Sequence, residues 1–197
     1  MTDIEARLMA ALAAPGRPSS DYDLNPSHPS VRIKSRDAGV LVPVWLAGAE
    51  PQLILTKRSS RLKHHPGQIA FPGGKVDPGD ADAVDASLRE AHEEIGLPRE
   101  AVRVLGTLPP HETVTGFRVT PVLGLIDGPF SPVPEAGEVE EVFTVPLSHV
   151  LDPARYAVQG RFWQGYNRRY YTVPYGPYYI WGATARMLRA LADRMAT

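Results

Sequence analysis

The most informative segment of the chain reads Phe71-Pro-Gly-Gly-Lys-Val-Asp-Pro-Gly-Asp80, then Ala81-Asp-Ala-Val-Asp-Ala-Ser-Leu-Arg-Glu90, then Ala91-His-Glu-Glu-Ile-Gly-Leu97. Its second half predicts a helix over 82–95, because Asp82 is a good N-cap residue and Gly96 before Leu97-Pro98 is a strong stop signal. Apolar residues at helical spacing predict one buried stripe on this helix, made of Val84, Leu88, Ala91 and Ile95.

Three glutamates near the end of this helix form a separate acidic face, within an arc of about 100°. Glu90 and Glu94 repel each other at a spacing of i, i+4, which costs ~0.2–0.5 kcal/mol. With Glu93, they also stand where the helix dipole disfavours anions by roughly 0.3–1 kcal/mol each. Two alternatives fit this pattern: a solvated acidic surface, or a site for a hard cation such as Mg²⁺ or Mn²⁺ that bridges to phosphates.

At these residues the sequence resembles the Nudix hydrolases, whose signature is Gly, five residues, Glu, seven residues and Arg-Glu-apolar-x-Glu-Glu-x-Gly-apolar. The second half of that signature matches completely over 89–97. The first half departs from it, because Asp80 stands where the family has Glu. Eight residues rather than seven separate Asp80 from Arg89, so the loop is one residue longer.

A second stretch is similar to the motif of the coenzyme A (CoA) pyrophosphatases within this family. That motif runs Leu-Leu-Thr-x-Arg-Ser/Ala, three residues, Arg, three residues, Gly, three residues, Phe-Pro-Gly-Gly. The residues that match it are Ile54, Leu55, Thr56, Arg58, Ser59, Gly67 and Phe71–Gly74. Lys63 replaces the second Arg of the motif, which keeps the charge but loses the bidentate fork. The two motifs together span 54–97.

The resemblance implies an α+β Nudix fold, with a mixed β-sheet sandwiched between α-helices. It also implies metal-dependent hydrolysis of CoA or its derivatives to 3′,5′-ADP and 4′-phosphopantetheine, with Mg²⁺ or Mn²⁺ as cofactor. The implied catalytic residues are Arg89, Glu90, Glu93 and Glu94. The implied metal ligands are Glu90, Glu93, Glu94 and the Gly74 carbonyl. Arg89 would hold the glutamate rotamers by pairing with them. A plain turn at Gly74 and an ordinary helix ion pair at Arg89 are the alternatives.

The group that takes a proton from the attacking water stays open between two sets of carboxylates. Glu93 is one candidate. The other is a later acidic cluster, since Nudix enzymes often draw a base from a later loop: Glu135, Glu138, Glu140 and Glu141. A solvated loop before the next strand is the favoured alternative for this cluster.

A basic island lies upstream of the glycine loop. Since CoA carries a 3′-phosphate besides its diphosphate, we predict substrate contacts from Arg58, Arg61, Lys63, His65 and Gln68. Solvated surface is the alternative for these residues. Ten of the sixteen aromatic residues lie over 156–181. We predict that most of them pack in the core and that one or two contact the substrate.

Composition excludes several function classes. Hydrophobic residues make up 43% of the 197 residues and the net charge is −1, as in ordinary globular proteins and unlike typical nucleic-acid binders. The chain has no cysteine, which removes disulfides, thiolate metal sites and cysteine nucleophiles. No apolar run approaches the ~20 residues of a membrane span, and the acidic N-terminus does not resemble a signal peptide. We therefore expect a cytoplasmic protein without membrane partners.

The spacing of turn and apolar residues predicts one domain over 1–197. Residues 1–35 are expected to form a helix over Ile4–Ala13 and an extended arm over Arg17–Val31, and residues 182–195 a closing helix. The predicted strands are 39–47, 52–57, 102–107, 119–125 and 142–145, with a polar, glycine-rich stretch over 59–79 and an irregular strand-rich region over 158–180. The oligomeric state stays open, with a homodimer as one alternative.

Two other functions remain alternatives to CoA hydrolysis. The first is a Nudix pyrophosphatase for ADP-ribose, NADH or a similar nucleoside diphosphate derivative, whose activity would not change when the 3′-phosphate is removed from the substrate. A Nudix-fold sensor would bind a nucleotide or CoA without turnover, although the complete set Arg89, Glu90, Glu93 and Glu94 disfavours a pure binder.

Overall fold

The computed structural model describes residues 2–26, 35–46, 48–163 and 165–196. Its helices are α1 (Asp3–Ala13), α2 (Ala83–Ile95), α3 (Leu147–Leu151) and α4 (Gly182–Met195). Its strands are β1 (Ser19–Ser20), β2 (Arg36–Trp45), β3 (Gln52–Arg58), β4 (Ile69–Ala70), β5 (Gly73–Lys75), β6 (Arg103–Thr107), β7 (His111–Glu112), β8 (Phe117–Ile126), β9 (Val139–Pro146), β10 (Ala157–Trp163) and β11 (Tyr166–Thr172). Within these ranges, no helix is both long and apolar enough to cross a membrane.

A mixed nine-stranded sheet forms the centre of the fold. Strands β2 and β8 run parallel along their whole length, while β3 pairs antiparallel with β2, β4 and β9. Strand β5 pairs antiparallel with the first half of β2, so the glycine loop before α2 is part of the sheet. Strands β10 and β11 form a separate antiparallel hairpin.

Alternating side chains on the central strands contribute to two cores. On β2, Leu41 belongs to the core beneath α2, whereas Val42 belongs to the core beneath the other helices. Ile54 and Leu55 on β3 divide in the same way. Helix α2 therefore covers one face of the sheet, and α1, α3 and α4 cover the other, which confirms the predicted sandwich of a mixed sheet between helices.

The caps predicted for α2 are present. The Asp82 side chain accepts a hydrogen bond from the Asp85 N–H at 2.9 Å, and Gly96 ends the helix in the left-handed conformation with φ 69°. Ala91 and Ile95 of the predicted stripe are buried, and Val84 and Leu88 are partly buried against the same core.

The predicted strands are confirmed at their centres and differ at their ends. Strand β2 begins earlier than predicted, at Arg36, and its predicted last residue, Ala47, lies outside the described residues. Strands β4 and β5 were not predicted, because two or three residues among glycines carry no hydrophobic pattern. The predicted arm over 17–31 contributes β1 and a turn through Leu24, and its residues 27–31 lie outside the described residues.

A buried polar network fixes this arm to the sheet. Strand β1 pairs with β7, and the fully buried His111 contacts Ser19 Oγ through Nδ1 at 2.9 Å and Asp21 Oδ1 through Nε2 at 3.2 Å. Asp21 also accepts from the Val114 N–H at 3.0 Å and pairs with Arg168 at 3.2 Å. Burial alone would raise the pKa of Asp21, but His111 and these other partners outweigh it, so the pKa is lowered.

We expect Asp21→Asn to lower the free energy of unfolding by about 1–3 kcal/mol at pH 7. Asparagine keeps the shape of the side chain but loses the charge that pairs with Arg168. Because the pKa of Asp21 is lowered, the carboxylate stabilises the fold above its ordinary value of 3.8 and loses that effect as the pH falls through the lowered value.

Urea denaturation of both proteins at pH 7 and pH 3 measures this effect. Asp127→Asn is the matched control, because Asp127 is 57% exposed and is expected to matter little. A loss from Asp21→Asn that is equally large at both pH values would contradict the assignment.

Candidate active site

The three glutamates of α2 have different surroundings. Glu94 is buried, with 4% of its surface exposed. The side chain of Glu90, one turn earlier, is 15% exposed, whereas that of Glu93 is 56% exposed and lies beside Arg89. The structure thus brings Glu90 and Glu94 together beneath the sheet edge and leaves Glu93 towards solvent.

Two glycines of β5 allow this approach. The Gly73 N–H donates to Glu94 Oε2 at 3.0 Å. A Cβ on Gly74 would lie 2.4 Å from Glu90 Oε1, and a Cβ on Gly73 would lie 2.5 Å from the Gly39 carbonyl oxygen of β2. Gly73 also has φ 153°, a value that residues with a side chain rarely adopt. Glycine is therefore required at both positions if the carboxylates are to touch the strand.

Burial dominates the electrostatics of the pair. Desolvation is the largest cause that raises the pKa of Glu94 to about 8, and the charges of Glu90 and Glu138 contribute in the same direction, while the hydrogen bond from Gly73 opposes the shift. Desolvation also raises the pKa of Glu90, although Arg89 opposes that shift. The two carboxyls therefore share a poorly solvated place in which their ionised forms are costly, and a bound cation would stabilise those ionised forms.

Arg89 orients the acidic face, and its main partner lies outside the helix. Its guanidinium binds Asp80 through two bonds, Nε to Oδ1 at 2.8 Å and Nη2 to Oδ2 at 2.9 Å. Nη1 donates to both Glu90 and Glu93 at 3.0 Å. Arg89 therefore pairs with two of the three glutamates, Glu90 and Glu93, as the sequence predicts. The bond from Arg89 lowers the pKa of Asp80 to about 2.

The residues present fit a hard cation, with fewer protein ligands than expected. In the described part of the chain, no three acidic or histidine side chains are grouped closely enough to hold an ion by themselves. The available oxygens are those of Glu90 and Glu94, beside the backbone of Gly74. Mg²⁺ commonly binds in this way, through one or two carboxylates with water and substrate phosphates completing its shell.

A cavity of about 460 Å³ is lined by Gly73, whose N–H donates to Glu94, although neither Glu90 nor Glu94 is itself among the lining residues. Among the predicted substrate-binding residues, Arg58, His65 and Gln68 line it together with Gly73. Arg61 and Lys63 lie on the same loop but are not among the lining residues. Further lining residues are Tyr170 and Trp181, from the aromatic region over 156–181, and five charged residues that the sequence did not identify: Asp21, Arg161, Arg168, Arg169 and Arg186. They belong to the arm, the hairpin β10–β11 and the start of α4, all of which lie outside the two motifs over 54–97.

The later acidic cluster separates into structural members and one that is close to the site. Glu135 accepts bonds from the N–H groups of Gly137 and Glu138 at 2.8 Å, so it stabilises its own loop. Glu140 pairs with Lys57 at 2.6 Å, and Glu141 accepts from the Tyr178 hydroxyl at 2.6 Å. Glu138 is exposed, and its charge acts on both Glu90 and Glu94.

The late aromatic residues divide between packing and the cavity. Tyr178 stacks on Phe143 with ring centroids 3.6 Å apart, and the Tyr156 hydroxyl donates to the Val150 carbonyl at 2.7 Å. Tyr170 and Trp181 meet edge to face at 5.0 Å. Both also line the cavity, as does Tyr171, so these three are the late aromatic residues that are placed to contact a ligand.

Comparisons with known proteins agree with this architecture. A NUDIX domain model matches residues 36–164. The "Uncharacterized Nudix hydrolase NudL" of Enterobacter sp. (strain 638) is 44% identical over 160 residues, which cover 81% of this chain and 83% of that protein. The structure of RenU, a Nudix hydrolase from M. smegmatis, is 27% identical with a TM-score of 0.50, covering 58% of this chain and 73% of its own. The MutT protein from Methanosarcina mazei Go1 shares the fold, with 19% identity, a TM-score of 0.53 and coverage of 85% and 99%.

We expect Glu94→Gln to raise the free energy of unfolding at pH 9 in metal-free buffer, by on the order of 2–4 kcal/mol. Between the ordinary pKa of 4.5 and the raised value of about 8, the folded protein holds a proton that the unfolded chain releases, so the wild type loses stability as the pH rises through this window. Glutamine stays uncharged and keeps an acceptor for the Gly73 N–H.

Thermal or urea denaturation at pH 4.5 and pH 9 with a chelator measures the difference. Glu93→Gln is the matched control, since an exposed carboxylate is expected to change stability by no more than about 0.5 kcal/mol. If Glu94→Gln were no more stable than the wild type at pH 9, the buried carboxyl would not carry the assigned cost.

Proposed function

The chain belongs to the Nudix hydrolases, and on that premise we propose that it hydrolyses the diphosphate bond of CoA, releasing 3′,5′-ADP and 4′-phosphopantetheine. The observation that carries the proposal is the pair of the half-buried Glu90 and the buried Glu94, held against Gly73–Gly74, where Gly73 also lines a cavity that contains several arginines. Such a site combines oxygen ligands for a cation with positive groups for an anionic substrate.

Nudix hydrolases generally use Mg²⁺ or Mn²⁺, and Glu90, Glu94 and the Gly74 carbonyl are the groups that we assign to the ion. When bound, the cation neutralises the anhydride oxygens and acidifies the attacking water. Arg89 keeps Glu90 in place through its Nη1, while its bidentate bond to Asp80 ties the guanidinium to the loop before α2. The hydrogen bond from Gly73 orients Glu94 in the same way.

Glu138 is the base that the surroundings favour. It is exposed, and its charge is felt by both carboxylates, whereas Glu140 and Glu141 are bound to Lys57 and Tyr178. The carboxylate of the alternative base, Glu93, is already engaged, because it accepts a hydrogen bond from Arg89 Nη1 at 3.0 Å. In this proposal the Glu138 carboxylate receives the proton of the water that attacks phosphorus.

The match over 54–74 supports CoA as the substrate, and the cavity adds physical support. CoA carries a 3′-phosphate besides its diphosphate, and the arginines that line the cavity suit a ligand with several phosphates. The same site would also accept other nucleoside diphosphate derivatives, and product analysis distinguishes these substrates from CoA.

The first test is product analysis with CoA in the presence of Mg²⁺ or Mn²⁺, repeated with a chelator. We expect metal-dependent formation of 3′,5′-ADP and 4′-phosphopantetheine, reduced at least about a hundredfold in Glu90→Gln and Glu94→Gln because several kcal/mol of charge stabilisation are lost. Glu100→Gln is the control, since this exposed glutamate lies in the turn after α2, away from the cavity.

Two outcomes would contradict the assignment. Cleavage of ADP-ribose or NADH with CoA left intact would keep the hydrolase and remove CoA as the substrate. Binding of CoA without any cleavage would instead favour the sensor alternative.

A glycine substitution tests the contact between β5 and α2. We expect Gly74→Ala to lower kcat at least about tenfold, because its Cβ would lie 2.4 Å from Glu90 Oε1 and displace the carboxylate. Stability is expected to change little, since the displaced atoms end a flexible side chain.

Gly79→Ala in the same loop is the matched control, because a Cβ there would meet no atom within 4 Å. Steady-state kinetics and thermal denaturation of both variants measure the two effects. Equal kcat values in the two variants would contradict the close approach of Glu90 to Gly74.

A further inference from the structure

The cavity carries far more positive charge than the catalytic pair needs. Its described lining contains five arginines and a single acidic residue, Asp21: the arginines are Arg58, Arg161, Arg168, Arg169 and Arg186. The whole chain has a net charge of −1, so this concentration is local and does not reflect composition. Asp21 and Asp23 neutralise part of this charge by pairing with Arg168 and Arg186, and the remaining positive charge favours an anionic ligand.

The arginines fall into two groups with different surroundings. Arg58, at the end of β3, is close enough to Glu94 to lower the pKa of that carboxyl, so its charge belongs to the catalytic end. Arg161 and Arg168 lie directly opposite each other on the hairpin β10–β11, which is not part of the central sheet. Opposite residues of an antiparallel pair project on the same side, and like charges there are unfavourable.

The N-terminal arm holds this hairpin in place. The Asn25 side chain makes two hydrogen bonds to the backbone of Arg169. Its Oδ1 accepts from the Arg169 N–H at 2.8 Å, and its Nδ2 donates to the Arg169 carbonyl at 2.9 Å. Asp21 pairs with Arg168, and Asp23 binds Arg186 of α4 at 2.7 and 2.9 Å. These contacts order the arginines before any ligand arrives, which reduces the entropy cost of binding.

We propose that Arg161 and Arg168 form a second anion subsite, which binds a phosphomonoester of the substrate away from the diphosphate that is cleaved at Glu90 and Glu94. The assignment to a remote phosphate of the substrate rests on the proposed function. Two neighbouring guanidiniums suit a phosphate dianion, because each can donate two parallel N–H bonds to its oxygens.

The wall beside the two arginines suits the rest of a nucleotide. Tyr170 lies two residues after Arg168 on the same strand and therefore on the same side of the hairpin. With Trp181 it offers an aromatic surface in the cavity, on which a planar base can stack. The ligand class is thus a nucleotide with a phosphomonoester on its ribose. Of the five residues that the sequence predicts for substrate contacts, Arg61 and Lys63 do not line this cavity.

Direct binding tests the subsite without catalysis. Calorimetry with metal-free protein would compare adenosine 3′,5′-bisphosphate with adenosine 5′-monophosphate. We expect the wild type to bind the bisphosphate at least about tenfold more tightly, and Arg161→Gln to lose about tenfold for the bisphosphate with little change for the monophosphate. Arg161 is exposed, so its replacement is expected to leave folding intact even if Arg168→Gln does not fold.

The control is Arg118→Gln, an exposed arginine on β8 that does not line the cavity, and it should bind both nucleotides as the wild type does. Equal affinity of the wild type for the two nucleotides would overturn the proposal. So would an Arg161→Gln variant that loses affinity for both to the same extent.

Kinetics separate this proposal from the proposed function. If CoA is cleaved, Arg161→Gln should raise KM for CoA about tenfold and leave KM for 3′-dephospho-CoA unchanged. If CoA is cleaved and Arg161→Gln raises KM for both substrates equally, the function stands and the subsite fails. If CoA is not cleaved but the bisphosphate preference depends on Arg161, the subsite stands and the proposed function fails.

Discussion

The site depends on the close approach of α2 to the backbone of strands β2 and β5. A Cβ on Gly39 would lie 1.9 Å from the Ala83 carbonyl oxygen, and one on Gly74 would lie 2.4 Å from Glu90 Oε1. A Cβ on Gly73 would clash with the backbone of β2, and the Gly73 N–H donates a hydrogen bond to Glu94. Gly39 thus lets the helix lie almost in backbone contact with the sheet, Gly73 lets β5 approach β2, and Gly74 leaves room for the Glu90 carboxylate. Together they bring carboxylates into a place where water is scarce.

That placement is costly for folding and useful for chemistry. Two carboxylates near the negative end of a helix repel each other, and burial raises the pKa of both. Arg89 offsets part of this cost. Its Nε and Nη2 bind Asp80, however, so only Nη1 donates to Glu90. The charge that remains uncompensated is what a divalent cation would neutralise, so the site is less stable alone than with its proposed ion.

The parts of the chain outside the matched domain shape the cavity. The NUDIX model covers 36–164, while Asp21, Asn25 and the start of α4 lie beyond it. The arm fixes the hairpin through Asn25 and Arg169, and the network of His111 and Asp21 fixes the arm. The shared domain therefore supplies the carboxylates, and the flanking segments supply much of the surface that a substrate would meet, which is a common division between chemistry and specificity.

Local signals in the sequence determined the elements whose contacts are close along the chain. The caps Asp82 and Gly96 determined α2, the spacing of Arg89 to Glu94 identified the acidic face, and apolar patterns located the long central strands. They could not determine that Asp80, which departs from the family pattern, still binds Arg89, nor that Glu93 turns towards solvent. The sequence did not predict the short strands β4 and β5, because two or three residues are too few to show the alternation of apolar and polar residues that marks a strand.

The tertiary structure alone decided which charges meet. Arg161 and Arg168 carry no motif, and they reach the cavity because a hairpin outside the main sheet is held by an arm more than 100 residues earlier in the chain. Arg61 and Lys63 belong to the basic island from which substrate contacts are predicted, but they do not line the cavity. The physical reason is that sequence periodicity reports burial along one element, whereas the position of a charge in a site depends on how distant elements pack.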